Sequence, residues 1–138
     1  MNSDWMLSLK IPAQADKLCL VRTLVKRAAE LAGCEQALVE KMVIAVNEAC
    51  MNVIQHAYKE DESGEIILEI HNNDGNLVFD MRDHAKPIDI DSVKPRDLED
   101  IRPGGLGTHF IWEIMDECKI GHLEGGAGNY FKMIKKIS

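Results

Sequence analysis

Apolar and polar residues recur with two different periods along this chain, and the changes of period divide it into elements. Strict alternation predicts strands, whereas apolar residues three and four positions apart predict helices with one buried face. The predicted elements are a strand over 5–11, helices over 16–32 and 36–58, a hairpin from Gly64 to Arg82, a helix over 107–117, and strands over 119–123 and 129–137. This order indicates an α+β fold in which helices pack on one face of a mixed, mostly antiparallel sheet.

The turn of the hairpin and the segment that follows the hairpin are both distinctive in sequence. The hairpin is strongly marked, because Asn72–Asn76 holds an Asp-Gly pair between two alternating runs. Residues 84–104 instead contain Pro87, Pro95, Pro103 and many charges, which predicts a long irregular segment. Long loops in compact domains are usually functional or disordered, so this segment is a candidate for a role in binding.

The bulk composition narrows the class of protein. A chain of 138 residues fits one domain, 1–138, and its net charge of −7 argues against direct nucleic-acid binding. An acidic protein can still hold a nucleotide through backbone N–H groups and Mg²⁺. The four cysteines form no CxxC pair, which predicts reduced thiols rather than zinc ligands or disulfides. Without a signal peptide or an apolar run of about 20 residues, we expect a cytoplasmic protein with no membrane contact.

The second predicted helix carries a candidate catalytic pair. Glu48 and Asn52 are four positions apart and therefore share a helix face, about one turn from each other. A carboxylate could act as a general base and an amide oxygen could bind Mg²⁺. The alternative is an ordinary solvated face, since Lys41 and Gln55 lie on the same side. Ile44, Ala45 and Met51 also lie there, however, and predict that the side is partly covered.

Two further features suit a nucleotide. Asp83 ends a predicted strand, where its carboxylate could accept a hydrogen bond from an exocyclic amine such as that of adenine. The glycine cluster Gly104–Gly107 opens a predicted helix, where free N–H groups attract phosphate. Taken alone, Asp83 could be a common strand-end residue and the glycines a flexible turn. The cluster is neither a Walker loop nor a Rossmann fingerprint.

Taken in order, three motifs resemble those of a known family. They are Val46–Tyr58, Arg82–Asp89 and Asp97–Glu117. The set resembles the anti-sigma-factor serine/threonine kinases of bacteria, small members of the histidine-kinase-like (GHKL) ATPase superfamily. The resemblance extends from about Ile11 to Ile137, and Gly128–Met133 is similar to the family's final strand, which closes the adenine pocket. It implies a Bergerat-type two-layer α/β sandwich.

The resemblance also implies a role for each matching residue. Glu48 is implied as the general base, Asn52 as the Mg²⁺ ligand and Asp83 as the adenine-reading aspartate. A lid is implied over 91–103. The other implied nucleotide contacts are Ala85, Pro87, Gly104, Gly105, Leu106, Gly107 and Thr108. Ala85 departs from the family, which usually has glycine there, and a positive φ at this alanine would be strained.

The implied reaction is transfer of the γ-phosphate of ATP to a serine or threonine of an anti-anti-sigma (STAS-domain) protein. Such kinases also bind and silence a sigma factor, often as homodimers. ATP and Mg²⁺ are the implied cofactors. Ala85 keeps an alternative open, in which the chain is a non-catalytic nucleotide-binding regulator that acts only by binding its protein partner.

Overall fold

The fold was analysed in a computed structural model that describes residues 3–59, 61, 63–87 and 105–137. It contains one antiparallel sheet of five strands in the order β1-β2-β3-β5-β4. The strands are β1 Ser3–Pro12, β2 Glu65–Asn73, β3 Asn76–Asp83, β4 Glu117–His122 and β5 Asn129–Lys136. The predicted order of strands and helices is confirmed, and every pair among the described strands is antiparallel.

Within the described residues, three α-helices cover one face of this sheet. They are α1 Leu18–Leu31, α2 Gln36–Asn52 and α3 Gly105–Ile114. Helix α2 is central, because it packs against both α1 and α3. The predicted α+β sandwich with its helices on one face is therefore confirmed.

The alternation in the hairpin decides which face of the sheet is buried. Ile66, Leu68 and Ile70 are at most 1% exposed, whereas Ile67 and Glu69 between them are half-buried. The first three residues point to the helices because successive strand residues face opposite sides. They meet the buried faces of α1 and α2, formed by Leu18, Val21, Val25, Val39, Met42 and Val46. The core thus lies between the sheet and α1–α2.

The hairpin turn has the geometry that its sequence predicts. Asp74 and Gly75 both have positive φ, 51° and 82°. Two consecutive positive φ angles are typical of the type I′ turn, whose twist matches that of antiparallel strands. The turn fixes the register in which Ile66 lies opposite Asp83 at the far end of the hairpin.

The second helix does not continue as a regular α-helix to residue 58, as the sequence predicts. It ends at Asn52 and is followed by a π-helical turn, Val53–Ala57, closed by the N–H of Tyr58 donating to the carbonyl of Val53 at 2.9 Å. Single π-turns inside helices are frequent at functional sites. Here the wider turn comes directly after a candidate metal ligand.

The ends of the third helix also differ from the prediction. Helix α3 begins at Gly105 rather than at 107 and ends at Ile114, while Glu117, predicted as helical, starts β4. The N–H of Asp116 donates to the carbonyl of Ile134 at 2.9 Å, which draws the chain into the sheet. Gly104 and the predicted lid over 91–103 lie outside the described residues.

Candidate active site

A cavity lies between the C-terminal end of α2 and the neighbouring ends of β3 and β5. Its polar lining includes Asn52 and Asp83, which are distant in sequence. Its other lining residues are Ala49, Val53, His56, Ala57, Met81, Ile120, Asn129, Tyr130 and Phe131. The walls are mainly apolar and aromatic, with a few polar groups, which is the usual make-up of a small-molecule site.

Asp83 is a buried carboxylate, only 3% exposed, at the end of β3. Its Oδ1 accepts hydrogen bonds from the N–H of Ala85 and from Nδ2 of Asn129, each at 2.9 Å. No described residue donates to Oδ2. Since an ionised carboxylate can accept several hydrogen bonds, Oδ2 retains the capacity to accept one from a ligand's amine.

Asn129 holds Asp83 from the neighbouring strand. The two residues are cross-strand partners between β3 and β5, and Asn129 is 2% exposed. Its Nδ2 also donates to the carbonyl of Lys86 at 3.1 Å, so one amide group joins Asp83 and the turn that follows it. The residue pattern gives no local sign of this contact, because it depends on pairing between strands far apart in sequence.

Gly128 lets the start of β5 approach Asp83 closely. A Cβ atom added at Gly128 would overlap the backbone carbonyl oxygen of Asp83. The close backbone approach places Asn129 within hydrogen-bonding reach of the carboxylate. Only glycine leaves enough space at this position.

We expect Gly128→Ala to lower the free energy of unfolding by about 1–3 kcal/mol, the usual cost of forcing extra volume into a packed site. It should also weaken ligand binding in the cavity, since β5 must move away from Asp83. Urea unfolding and ligand titration measure the two effects. Gly125→Ala is the matched control, because a Cβ there meets no atom within 4 Å and carries only the cost of a φ of 72°. Equal effects of the two substitutions would contradict the steric argument.

Ala85 is accommodated without backbone strain. Among the described residues other than glycine, only Lys59 and Asp74 have positive φ, so the strain considered for Ala85 does not arise. Ala85 is 7% exposed, and its N–H is used to hold Asp83. Ala85 and Pro87 line a neighbouring open pocket with Tyr58 and Gly64, rather than the cavity of Asn52 and Asp83.

Glu48 and Asn52 are both half-buried on α2. Asn52 lines the cavity, whereas Glu48 lies one helical turn before it and is not part of the lining. Within the described part of the chain, neither side chain has a hydrogen-bond or ion-pair partner. A half-buried carboxylate and amide without partners are available to bind a ligand. A fully solvated helix face would not explain why both side chains are half-buried.

The remaining candidate residues belong to α3. Gly105, Leu106, Gly107 and Thr108 form its first turn, where backbone N–H groups lack intrahelical partners. The helix packs on α2, and the ring of Trp112 lies 6.5 Å from the ring of Phe131, a residue of the cavity wall. Helix α3 therefore contacts two of the elements that border the cavity, α2 and β5.

The chemistry of these residues suits a purine nucleotide and Mg²⁺. The apolar and aromatic walls suit a purine ring, and the available Oδ2 of Asp83 suits an exocyclic amine. The cavity volume is about 30 Å³, so the walls must move apart to admit the ring. Mg²⁺ commonly takes only one or two protein oxygens and completes its shell with water and phosphates, so a single amide oxygen from Asn52 is sufficient. No group of three or more His, Cys, Asp or Glu side chains among the described residues could hold a metal by itself.

Among the described residues, no helix is long and apolar enough to span a bilayer.

Comparisons with known proteins agree with this geometry. Residues 11–135 match the family model of the histidine kinase-like ATPase domain. The serine-protein kinase RsbW of Bacillus subtilis (strain 168) is 32% identical over 133 residues, which cover 90% of this chain and 82% of that protein. RsbW of Bacillus cereus (strain AH187) is 37% identical over 131 residues, covering 86% and 79%.

Solved structures show the same fold at lower identity. The RsbU and RsbW domains of Rv1364c from Mycobacterium tuberculosis match with a TM-score of 0.68 and 17% identity, covering 99% of this chain and 32% of that longer chain. The SiaB-SiaC complex from Pseudomonas aeruginosa matches with a TM-score of 0.68 and 13% identity, covering 96% and 91%. The chain therefore belongs to the histidine kinase-like ATPase domain family and, within it, to the RsbW-type serine-protein kinases.

Proposed function

We propose that this kinase transfers the γ-phosphate of ATP, in the presence of Mg²⁺, to a serine or threonine of an anti-anti-sigma (STAS-domain) protein. The observation that carries the proposal is that Asn52 and Asp83, from distant parts of the sequence, line one apolar-walled cavity. The first suits a metal and the second suits the amine of adenine. Together they orient a nucleotide with its base beside β3 and its phosphates towards α2.

The proposed chemistry depends on positioning. Phosphoryl transfer needs an aligned nucleophile and neutralised phosphate charge more than covalent help from the protein. Glu48 lies one turn from Asn52, on the same side of α2, and acts as the base that accepts or orients the substrate hydroxyl proton. The first turn of α3, from Gly105 to Thr108, offers N–H groups to the phosphates. Gly104 lies outside the described residues and is included in the proposed phosphate site on the motif resemblance alone.

The proposed partners follow from the motif resemblance and from the RsbW-type relatives. We assign the STAS-domain protein as the phosphate acceptor and a sigma factor as the protein that the kinase sequesters. One structural neighbour was itself solved as a complex of two proteins, SiaB and SiaC, which is in keeping with a protein-binding role. The proposal includes a cytoplasmic location, a homodimeric form and a single domain over 1–138.

A transfer assay tests this function directly. The kinase is incubated with Mg²⁺ and γ-labelled ATP together with each STAS-domain protein of the same genome, and label on the acceptor is measured. We expect one acceptor to be labelled, and its variant with alanine at the modified serine or threonine to remain unlabelled. Nucleotide binding without label on any STAS-domain protein would instead favour the non-catalytic regulator.

We expect Asn52→Ala to raise the Kd for Mg·ADP about 10-fold, because the nucleotide-bound metal loses its protein ligand. The Kd measured in EDTA should change little, since the contact requires the metal. Titration calorimetry under both conditions separates the two effects. Asn47→Ala is the matched control, because Asn47 lies on the same helix but accepts a hydrogen bond from Arg22 at 3.0 Å instead of lining the cavity. An unchanged Mg²⁺ dependence in Asn52→Ala would exclude Asn52 as the ligand.

A further inference from the structure

All the hydrogen bonds of the Tyr58 hydroxyl group are made with backbone groups. It donates to the carbonyl of Glu65 at 2.7 Å and accepts from the N–H of His84 at 2.8 Å and the N–H of Glu65 at 3.2 Å. A tyrosine hydroxyl has one proton and two lone pairs, so this hydroxyl has no capacity left for a ligand. Its contribution must come from the segments that it joins.

The segments that the Tyr58 hydroxyl joins follow directly after two polar residues of the cavity, Asn52 and Asp83. Tyr58 directly follows the π-turn Val53–Ala57, which itself follows Asn52. His84 directly follows Asp83. The hydrogen bond between Tyr58 and His84 therefore links the backbone beyond the candidate metal ligand to the backbone beyond the candidate base-binding carboxylate.

The tyrosine ring is held in place by a glycine. A Cβ atom added at Gly64 would overlap the ring of Tyr58, so the ring lies directly over the backbone at the start of β2. The carbonyl of Gly64 also accepts a hydrogen bond from the N–H of Ala13 at 2.8 Å, which fixes this backbone against β1. The ring of Tyr58 thus packs on a fixed backbone segment, which holds the hydroxyl in position to accept the hydrogen bond from His84.

The hydroxyl also keeps its proton. Burial raises the pKa of Tyr58, and the hydrogen bonds from the N–H groups of His84 and Glu65 lower it by less. The proton that Tyr58 donates to Glu65 is consequently present throughout the physiological pH range.

We propose that Tyr58 is a positioning residue for nucleotide binding, whose hydroxyl sets the placement of the turn after Asp83 relative to the end of α2. This inference rests on the proposed function, because it assumes that Asn52 and Asp83 hold the same nucleotide. It differs from a purely structural role, in which losing the hydroxyl would lower stability and leave the folded protein's affinity unchanged.

Tyr58→Phe tests the inference, since it keeps the ring over Gly64 and removes only the hydroxyl. We expect the Kd for Mg·ADP and the KM for ATP to rise about 10-fold, the equivalent of losing the one hydrogen bond, to the N–H of His84, that joins the two sides of the cavity. The kcat at saturating ATP should stay within about twofold, because Glu48 is untouched. Val25→Ala is the control: Val25 is fully buried on α1, so the variant loses stability without altering the cavity.

The outcomes separate this inference from the proposed function. Failure of the wild-type protein to bind Mg·ADP would contradict both the proposed function and the role of Tyr58. Normal wild-type binding with an unchanged Kd in Tyr58→Phe, or an equal rise in Val25→Ala, would overturn the role of Tyr58 alone. Hydrogen exchange of the His84 N–H in the wild-type protein gives a second measurement without mutation: we expect slow exchange that Mg·ADP slows further, and rapid exchange would contradict the hydrogen bond.

Discussion

Glu48→Gln is expected to lower the rate of phosphoryl transfer by about 10²–10⁴-fold, the usual contribution of a general base. Glutamine has nearly the same shape as glutamate but cannot accept the substrate's proton. The Kd for Mg·ADP should be unchanged, because Glu48 does not line the cavity of Asn52 and Asp83. The measurement is kcat for label transfer at saturating ATP, with calorimetry on the same protein samples.

The same helix offers a matched control for Glu48. Glu40 is exposed on α2, where it accepts a hydrogen bond from Gln36 at 3.4 Å. Glu40→Gln makes the same chemical change and removes the same charge, and we expect it to leave transfer intact. Full activity in Glu48→Gln would refute the base assignment, and equal losses in both variants would point to a general charge effect.

Asp83→Asn is expected to raise the Kd for Mg·ADP about 100-fold. The carbonyl oxygen of asparagine can still accept from Ala85 and Asn129 in the place of Oδ1, so the fold is kept. The amide NH₂ then occupies the position of Oδ2 and directs a donor at the amine of adenine. Loss of a charge-assisted hydrogen bond costs about 1.5–3 kcal/mol, and two opposed donors add to that cost.

A change of base sharpens this test. Inosine carries a carbonyl where adenosine carries the amine, so Mg·IDP should bind Asp83→Asn better than wild type, a reversal that general damage to the site cannot produce. Asp80→Asn is the control, since Asp80 is on the same strand, faces the other side of the sheet and accepts hydrogen bonds from Arg82. Unaltered affinity for Mg·ADP in Asp83→Asn would exclude Asp83 from base binding.

The elements were predictable where a local pattern determines them. The hairpin follows from alternation and from an Asp-Gly pair whose two positive φ angles the structure contains. The order of strands and helices follows in the same way. The π-turn after Asn52 was not predictable, because no residue pattern distinguishes a π-turn from a continuation of the α-helix before it. The early end of α3 was missed because Asp116 is drawn into the sheet by Ile134, a partner remote in sequence.

The candidate site shows the same division. Glu48 and Asn52 share a helix face by their spacing alone, but the proximity of Asn52 to Asp83 becomes visible only in the folded cavity, which residues of α2, β3 and β5 line together. The bond between Asn129 and Asp83 requires the strand pairing itself. The strain considered for Ala85 depended on its φ, which the identity of the residue does not determine. Its non-positive φ removes the main sequence-based ground for preferring a non-catalytic regulator.

The position of β5 in the sheet has a consequence for folding during synthesis on the ribosome. This strand is the last of the five to leave the ribosome, yet it lies inside the sheet, between β3 and β4. A nascent chain that has already formed α2 and the hairpin still lacks Asn129 and Phe131, and therefore has an open trough where the cavity will be. The candidate nucleotide site is completed only when this strand inserts. If the proposed function is correct, we expect ATP to stabilise complete chains and to bind incomplete chains only weakly.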